Sequence, residues 1–404
     1  MTPLLQDIRI LELGHYVAAP FATRVLADLG ADIIKVEPPG EGDPVRTWGA
    51  RVDGNALWWS VHGRNKRAIT INMREQRGRR LVLDLAKHCD AVVENFRVGQ
   101  LEKWGLGPAA LAAARPGIVL VRISGYGQTG PDANRAGFGV IGEAKGGLRH
   151  LCAYPPGESE LPPVRAGIAI GDSIAGFYGA IGALSAIHAQ RRDRATDCRV
   201  IDVALGESVL SLLEGCLPEY GLLGRVREPS GSRLKAAAPS NAYRSKDGAW
   251  VLIAGNSDPL FRTLTGLMGQ PELASDPRFI DNPARCTHID ELDAIIGGWV
   301  AGLDAEAVLA LMDQGNIPAS RIYTVADIAA DKQYRARDMV VEVADPLLGG
   351  VLHPGVVPVV EGLDRTAQIR WPGPAVGQHT SEVLADLLGY DEARISALRE
   401  EGII

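Results

Sequence analysis

The first 125 residues alternate between strand-like and helix-like stretches, and this leaves few choices of fold. Ile8 to Leu13 is a short apolar run with β-branched content, followed by a turn at Gly14-His15. Ala18, Phe21, Ala22, Val25, Leu26 and Leu29 then recur at helical spacing. Gly30 stops that helix, and Asp32-Ile33-Ile34-Lys35-Val36 reads as the next strand. A strand, a helix and a strand in so short a stretch predict a parallel pair joined by a right-handed crossover. The pattern recurs in a helix around Arg77 to His88, a strand at Ala91 to Val93, a helix near Gln100 to Trp104 and a strand at Ile118 to Ile123. Such alternation predicts a doubly wound α/β domain.

The turn after the first strand lacks GxGxxG, so it does not read as a dinucleotide site. A glycine-rich stretch, Ser124-Gly125-Tyr126-Gly127-Gln128-Thr129-Gly130-Pro131, follows the strand ending at Ile123. Loops after the strand C-termini form the ligand crevice of a parallel sheet. A plain turn is the alternative reading of this stretch.

Further along, a helix is expected from Ser173 to Gln190, with Ile174, Phe177, Tyr178, Ile181 and Leu184 on one face. Ile201 to Leu217 reads as helical, and Arg225 to Pro239 as a linker or mobile loop. Trp250 to Ala254 is strand-like, and helices are expected at Leu260–Met268, Ile289–Ala301, Ala305–Gln314 and Thr380–Leu388. Short strands are expected at Val340–Glu342 and Val356-Val357. The domain plan is a large domain over 1–224, a smaller α/β domain over 225–331, and a return to the large domain over 332–404.

Composition removes several classes of function. A net charge of -7 without a long basic block argues against a nucleic-acid partner. No apolar run approaches the ~20 residues needed to cross a membrane, and no targeting segment is visible. The five cysteines, Cys89, Cys152, Cys198, Cys216 and Cys286, form no CxxC pair and read as reduced thiols of a cytoplasmic protein. The eight histidines show no metal-ligand spacing.

Asp172 has two readings. Standing immediately before the expected helix, it would serve as an N-cap. A carboxylate at that place is also held ionised by the helix dipole, as a carboxylate nucleophile must be. The two roles are compatible.

Taken in order and at their distances, several motifs carry a resemblance. They are Gly30-Ala31-Asp32-Ile33-Ile34-Lys35-Val36-Glu37, Gly42-Asp43-Pro44, Asn65-Lys66-Arg67, Val93-Glu94-Asn95-Phe96, the Ser124 to Pro131 stretch, Gly171-Asp172 and Gln378-His379-Thr380. With these the chain resembles, over nearly its whole length, the family III CoA-transferases. That group includes the formyl-CoA and carnitine CoA-transferases and α-methylacyl-CoA racemase.

The resemblance implies an interlocked homodimer of ring-like subunits, each with a Rossmann-like large domain built from both chain ends. It implies that Asp172 carries the acyl group as an anhydride and then CoA as a thioester. Backbone N–H groups near Asp172 and in the Ala254 to Ser257 loop would serve as oxyanion donors. Coenzyme A would be part of the substrate, and no resident cofactor is implied. Positions matching the family's CoA contacts are Val17, Ala18, Ile71, Asn72, Met73, Arg74, Asn95, Phe96, Arg97, Lys103 and Gly139. Of these, Phe96 would stack on adenine, and Arg74, Arg97 and Lys103 would take phosphates. His15, Glu143 and Arg149 are expected on the carboxylic acid substrate.

Three departures matter. A Gln of the formyl-CoA enzyme is Val17 here, an adenosine-side Arg is Pro38, and the glycine-rich lid is reduced to Gly255-Asn256-Ser257. Oxalate and formate are therefore not expected as substrates. The segment Gly137 to His150 looks like the subgroup that uses succinyl-CoA with malate, citramalate, mesaconate or itaconate, and Arg149 would grip the remote carboxylate. The competing readings are a 2-methylacyl-CoA racemase or epimerase, whose required His is Phe138 here, a formyl-CoA:oxalate-type transferase, and a non-catalytic CoA-binding protein, against which the retained Asp172 argues.

Overall fold

Strands that read as continuous apolar runs need cover on both faces, and here they receive it. The computed structural model describes residues 2–404. The described residues form two units, one of residues 2–149, 165–223 and 332–404, the other of 150–164 and 224–331. The stretch 150–164, expected in the large domain, belongs to the second unit.

The first unit is built on β1 (Arg9–Glu12), α1 (Ala18–Asp28), β2 (Asp32–Glu37), β3 (Lys66–Thr70), α2 (Gln76–Ala86), β4 (Ala91–Glu94), β5 (Val119–Ser124), α3 (Gly139–Lys145), α4 (Ile170–Asp193) and β6 (Arg199–Ala204). The strands form one parallel sheet in the order β3-β2-β1-β4-β5-β6. The order reverses between β1 and β4, so the loops after these two strands flank a crevice.

Alternate residues of each strand feed two cores. Ile10, Ile33, Val93 and Val121 pack with Ala22 and Leu26 of α1 and with Ala175, Ala183 and Ile187 of α4. Leu11, Ile34, Val92 and Leu120 face the other way, onto Leu81 and Leu85 of α2 and onto Val383, Leu384, Ile395 and Ile403. The chain end thus supplies about a quarter of the buried residues of one core. The Asn72 N–H donates to Ile403 O at 2.7 Å and ties it down.

Three expectations are corrected here. α4 begins at Ile170, not Ser173, and its 24 residues are long and apolar enough, by length and composition, to span a membrane. Its small residues are instead packed within the fold. A β-carbon on Gly176 would stand 2.8 Å from Ala18 O of α1. The helix expected from Ile201 to Leu217 begins as β6, because pairing Val119 to Ser124 with Arg199 to Ala204 completes the sheet. Two short helices, Leu205–Leu210 and Cys216–Leu223, follow. The expected strand at Val356-Val357 is absent, and the local hairpin is Val340–Asp345 with Gly349–Pro354.

The second unit has a three-stranded antiparallel sheet, with Trp250–Ala254 between Ser240–Arg244 and Ala319–Arg321. Tyr243, Val251, Ile253, Phe261, Leu264 and Ile296 form its core. The Gly255-Asn256-Ser257 turn lies in this unit and is pinned by fully buried Arg285, which donates to Asn256 O at 2.8 Å and to Asp258 at 2.7 Å.

Candidate active site

The family-like motifs of the first unit converge on buried charges at the C-terminal end of the sheet. Glu12 on β1 lies opposite Lys35 on β2 in the strand register. Lys35 Nζ is 2.7 Å from Glu12 Oε1 and 2.7 Å from Asp43 Oδ2, and Lys66 Nζ is 2.9 Å from Glu12 Oε2. Burial alone would raise the Glu12 carboxyl, but Lys35 and Lys66 outweigh it and hold it down at about 2. Burial pulls Lys66 down to about 8 in spite of Glu12.

This charge cluster fixes the loop after β1. Asp43 Oδ1 accepts the Tyr16 N–H at 3.1 Å, and His62 Nε2 donates to Tyr16 O at 3.0 Å. Tyr16 is thereby held at φ +62°, a left-handed conformation that non-glycine residues rarely adopt. Across the crevice, Asn95 clasps the neighbouring residue from both sides. Its Oδ1 accepts the His15 N–H and its Nδ2 donates to His15 O, each at 2.8 Å. The loops after β1 and β4 are therefore stitched together where the strand order reverses.

Two cavities open here, and Asp172, Tyr16 and Phe138 line both. The smaller, about 160 Å³, runs past Ala18, Asn95, Phe96, Arg97, Ser124 and Gly125. The larger, about 950 Å³, is walled by Val17, Phe21, Trp48, Trp58, Gly139 and Arg165, among others.

Asp172 is the third residue of α4 and makes no cap bond, which corrects its reading as an N-cap. Its carboxylate has no hydrogen bond or ion pair to any described residue. Burial, followed by the charge of nearby Glu143, raises its pKa to about 6, and Arg165 partly opposes them. The helix dipole does not keep this group at an ordinary carboxylate value; the low-dielectric setting prevails. Such a carboxylate is ionised at neutral pH, more basic than usual and not tied to a partner. Those are the properties of a carboxylate nucleophile.

The other expected residues fall into two groups. Val17, Ala18, Asn95, Phe96, Arg97 and Gly139 line one cavity or the other. The Phe96 ring is half-buried, set edge-on to His15 at 5.4 Å and to Trp104 at 5.1 Å. Ile71, Asn72, Met73, Arg74 and Lys103 line neither cavity. Ile71 and Met73 are buried in the core, and Arg74 and Lys103 are exposed.

Of the residues expected on the acid substrate, His15 is fixed by Asn95, and its Nδ1 is buried 3.8 Å from Asp43 Oδ2. Glu143 is buried; its Oε2 accepts from Arg149 Nε at 2.9 Å, while Oε1 has no hydrogen bond. Neither Glu143 nor Arg149 lines either cavity, so Glu143 reaches the site through its charge on Asp172.

The sequence reading passed over Tyr16, Trp48, Trp58, His62 and Arg165. One signal was available for the tryptophans: Trp48, Trp58 and Trp59 fall within twelve residues of a chain only 5% aromatic.

A family model described as CoA-transferase family III matches residues 5–380. The chain belongs to this family. Membership together with the activities named for its curated relatives makes it an enzyme of the CoA-transferase class, EC 2.8.3. It is 46% identical over 401 residues to a succinyl-CoA–D-citramalate CoA-transferase of Chloroflexus aurantiacus, a match spanning 99% of this chain and 98% of the relative. It is 36% identical over 403 residues to the beta subunit of a succinyl-CoA–L-malate CoA-transferase of the same organism, covering 99% of this chain and 98% of that one. Among solved structures, a CaiB/BaiF family protein from Brucella suis superposes with a TM-score of 0.83 at 32% identity, over 96% of this chain and 100% of that chain.

Proposed function

We propose that this family III CoA-transferase moves CoA from succinyl-CoA to a C4–C5 dicarboxylic acid, with citramalate the leading acceptor and malate, mesaconate and itaconate the neighbouring ones. The observation that carries the reading is the unpartnered, half-buried Asp172 carboxylate where the two cavities meet. The names borne by the relatives favour succinyl-CoA and citramalate.

In this reading the Asp172 carboxylate attacks the thioester carbonyl, forming a mixed anhydride and releasing CoA thiolate. The thiolate attacks the aspartyl carbonyl, giving an aspartyl-CoA thioester and free succinate. The acceptor carboxylate attacks that thioester, forming a second anhydride and freeing the thiolate again. The thiolate then takes the acceptor's acyl carbon and restores Asp172. Exclusion of water by the aromatic walls would protect the two activated acyl states.

A racemase would need a second acid/base group facing the substrate α-carbon, and at position 138 this chain offers Phe. We further propose a homodimer. On α4, Phe177 and Ile181 are 50% and 59% exposed, and Leu217, Tyr220, Leu222 and Leu223 are exposed beyond it. Apolar surface of this extent suits a large subunit interface.

The decisive experiment incubates the enzyme with succinyl-CoA alone and adds hydroxylamine. An aspartyl hydroxamate at Asp172, mapped by peptide mass, is expected. Its absence while transfer still proceeds would remove Asp172 as the nucleophile.

A further inference from the structure

A diacid brings two carboxylates to the larger cavity. One must reach Asp172; the other must be desolvated against an aromatic wall unless a cation meets it. Three basic side chains line this cavity: Arg24, His62 and Arg165. Arg24 is committed to Asp28 at 2.8 Å and lies over the Phe21 ring at 4.9 Å. His62 is spent on Tyr16 O, and burial lowers its pKa to about 3, so the ring is neutral. Arg165 has no hydrogen bond or ion pair to any described residue, is exposed on the cavity wall, and lies near enough to Asp172 to lower its pKa. Arg149, the cation the sequence suggests for this task, is bonded to Glu143 and lines neither cavity.

We infer that Arg165 is the residue that selects dicarboxylates, pairing its guanidinium with the carboxylate of the acyl group that does not react. The inference rests on the transferase reading above. A planar guanidinium suits the task because it grips a carboxylate through two parallel N–H donors. It serves donor and acceptor alike, since the succinyl group and a C4–C5 acceptor each carry a second carboxylate. Arg165 also offsets the charge of Asp172, so two carboxylates can share the cavity without repelling the nucleophile's substrate.

The test compares wild type, Arg165→Gln, Arg165→Lys and Arg149→Gln. Each is acylated in a single turnover with succinyl-CoA or with butyryl-CoA, an uncharged acyl group of the same length, and the Asp172 hydroxamate is quantified. Acceptor KM values for citramalate and for butyrate are measured in parallel. Arg165→Gln should lower the succinyl-to-butyryl preference at least thirtyfold and raise KM for citramalate far more than for butyrate. Arg165→Lys should recover part of that preference, and Arg149→Gln should leave it within threefold.

Equal losses on charged and uncharged acyl groups would overturn the inference and reduce Arg165 to its effect on Asp172. A collapse of preference in Arg149→Gln alone would transfer the role to Arg149. If wild type gives no Asp172 adduct while transfer proceeds, the covalent mechanism has failed. If the adduct forms but the preference is unchanged in Arg165→Gln, only the role of Arg165 has failed.

Discussion

Gly139 is pressed against Asp172 so closely that a β-carbon there would stand 2.0 Å from Asp172 Oδ2 and 2.5 Å from its Cγ. The contact is reciprocal, since a β-carbon on Gly171 would meet Gly139 O at 2.5 Å. Two glycines thus let the start of α3 lie on the first turn of α4 and bury one side of the Asp172 carboxylate.

Gly139→Ala should therefore cripple transfer while leaving most of the fold intact. The added methyl must displace either the carboxylate or α3, and small displacements of reacting groups are costly to rate. We expect kcat/KM to fall by ~100-fold or more, with an unchanged far-ultraviolet circular dichroism spectrum. Activity within threefold of wild type would mean that the Asp172 carboxylate is free to move aside.

The pH dependence of acylation should report Asp172 directly. Its carboxylate must be ionised to attack, so kcat/KM for succinyl-CoA should fall on the acid side of about pH 6. The charge of Glu143 contributes to that raised pKa. Glu143→Gln removes the charge but keeps an acceptor for Arg149, so the acid limb should move to lower pH. A limb that stays put or moves upward would show that Glu143 does not act on Asp172.

Asp172 should also lower stability at neutral pH. Its folded-state pKa, about 6, lies above the ordinary aspartate value, so the folded protein binds this proton more tightly than the unfolded chain. The resulting stabilisation is complete below about pH 4 and is lost as pH rises through about 6. Asp172→Asn carries no such dependence. It should be inactive yet more stable than wild type at pH 7–8, by about 2–3 kcal/mol, and the gain should vanish near pH 4. Denaturant melts at the two pH values measure this, and equal stability at both would contradict a raised pKa.

The alternation of short apolar runs with helical periods by itself determined the parallel sheet and its crossovers, because strands buried on both faces read as continuous apolar runs and the covering helices as apolar residues at period 3.6. Where the local pattern was unambiguous, as in Ala305–Gln314 and Thr380–Leu388, the helices agree with expectation to the residue. Asp172 stood out because Gly171-Asp172 sits in a recognisable series of motifs. Only the tertiary structure decided what surrounds it. Whether Ile201 to Ala204 is helix or strand depends on pairing with Val121 to Ser124, 80 residues away in the chain. The clasp of His15 by Asn95 spans 80 residues and exists only because β1 and β4 are neighbours where the strand order reverses. The pairing of Arg149 with Glu143, and the freedom of Arg165, follow from which guanidinium the packed chain leaves without a carboxylate. Periodicity reports which face of an element is buried. It carries no information on which charges meet there, because that depends on contacts between residues far apart in sequence.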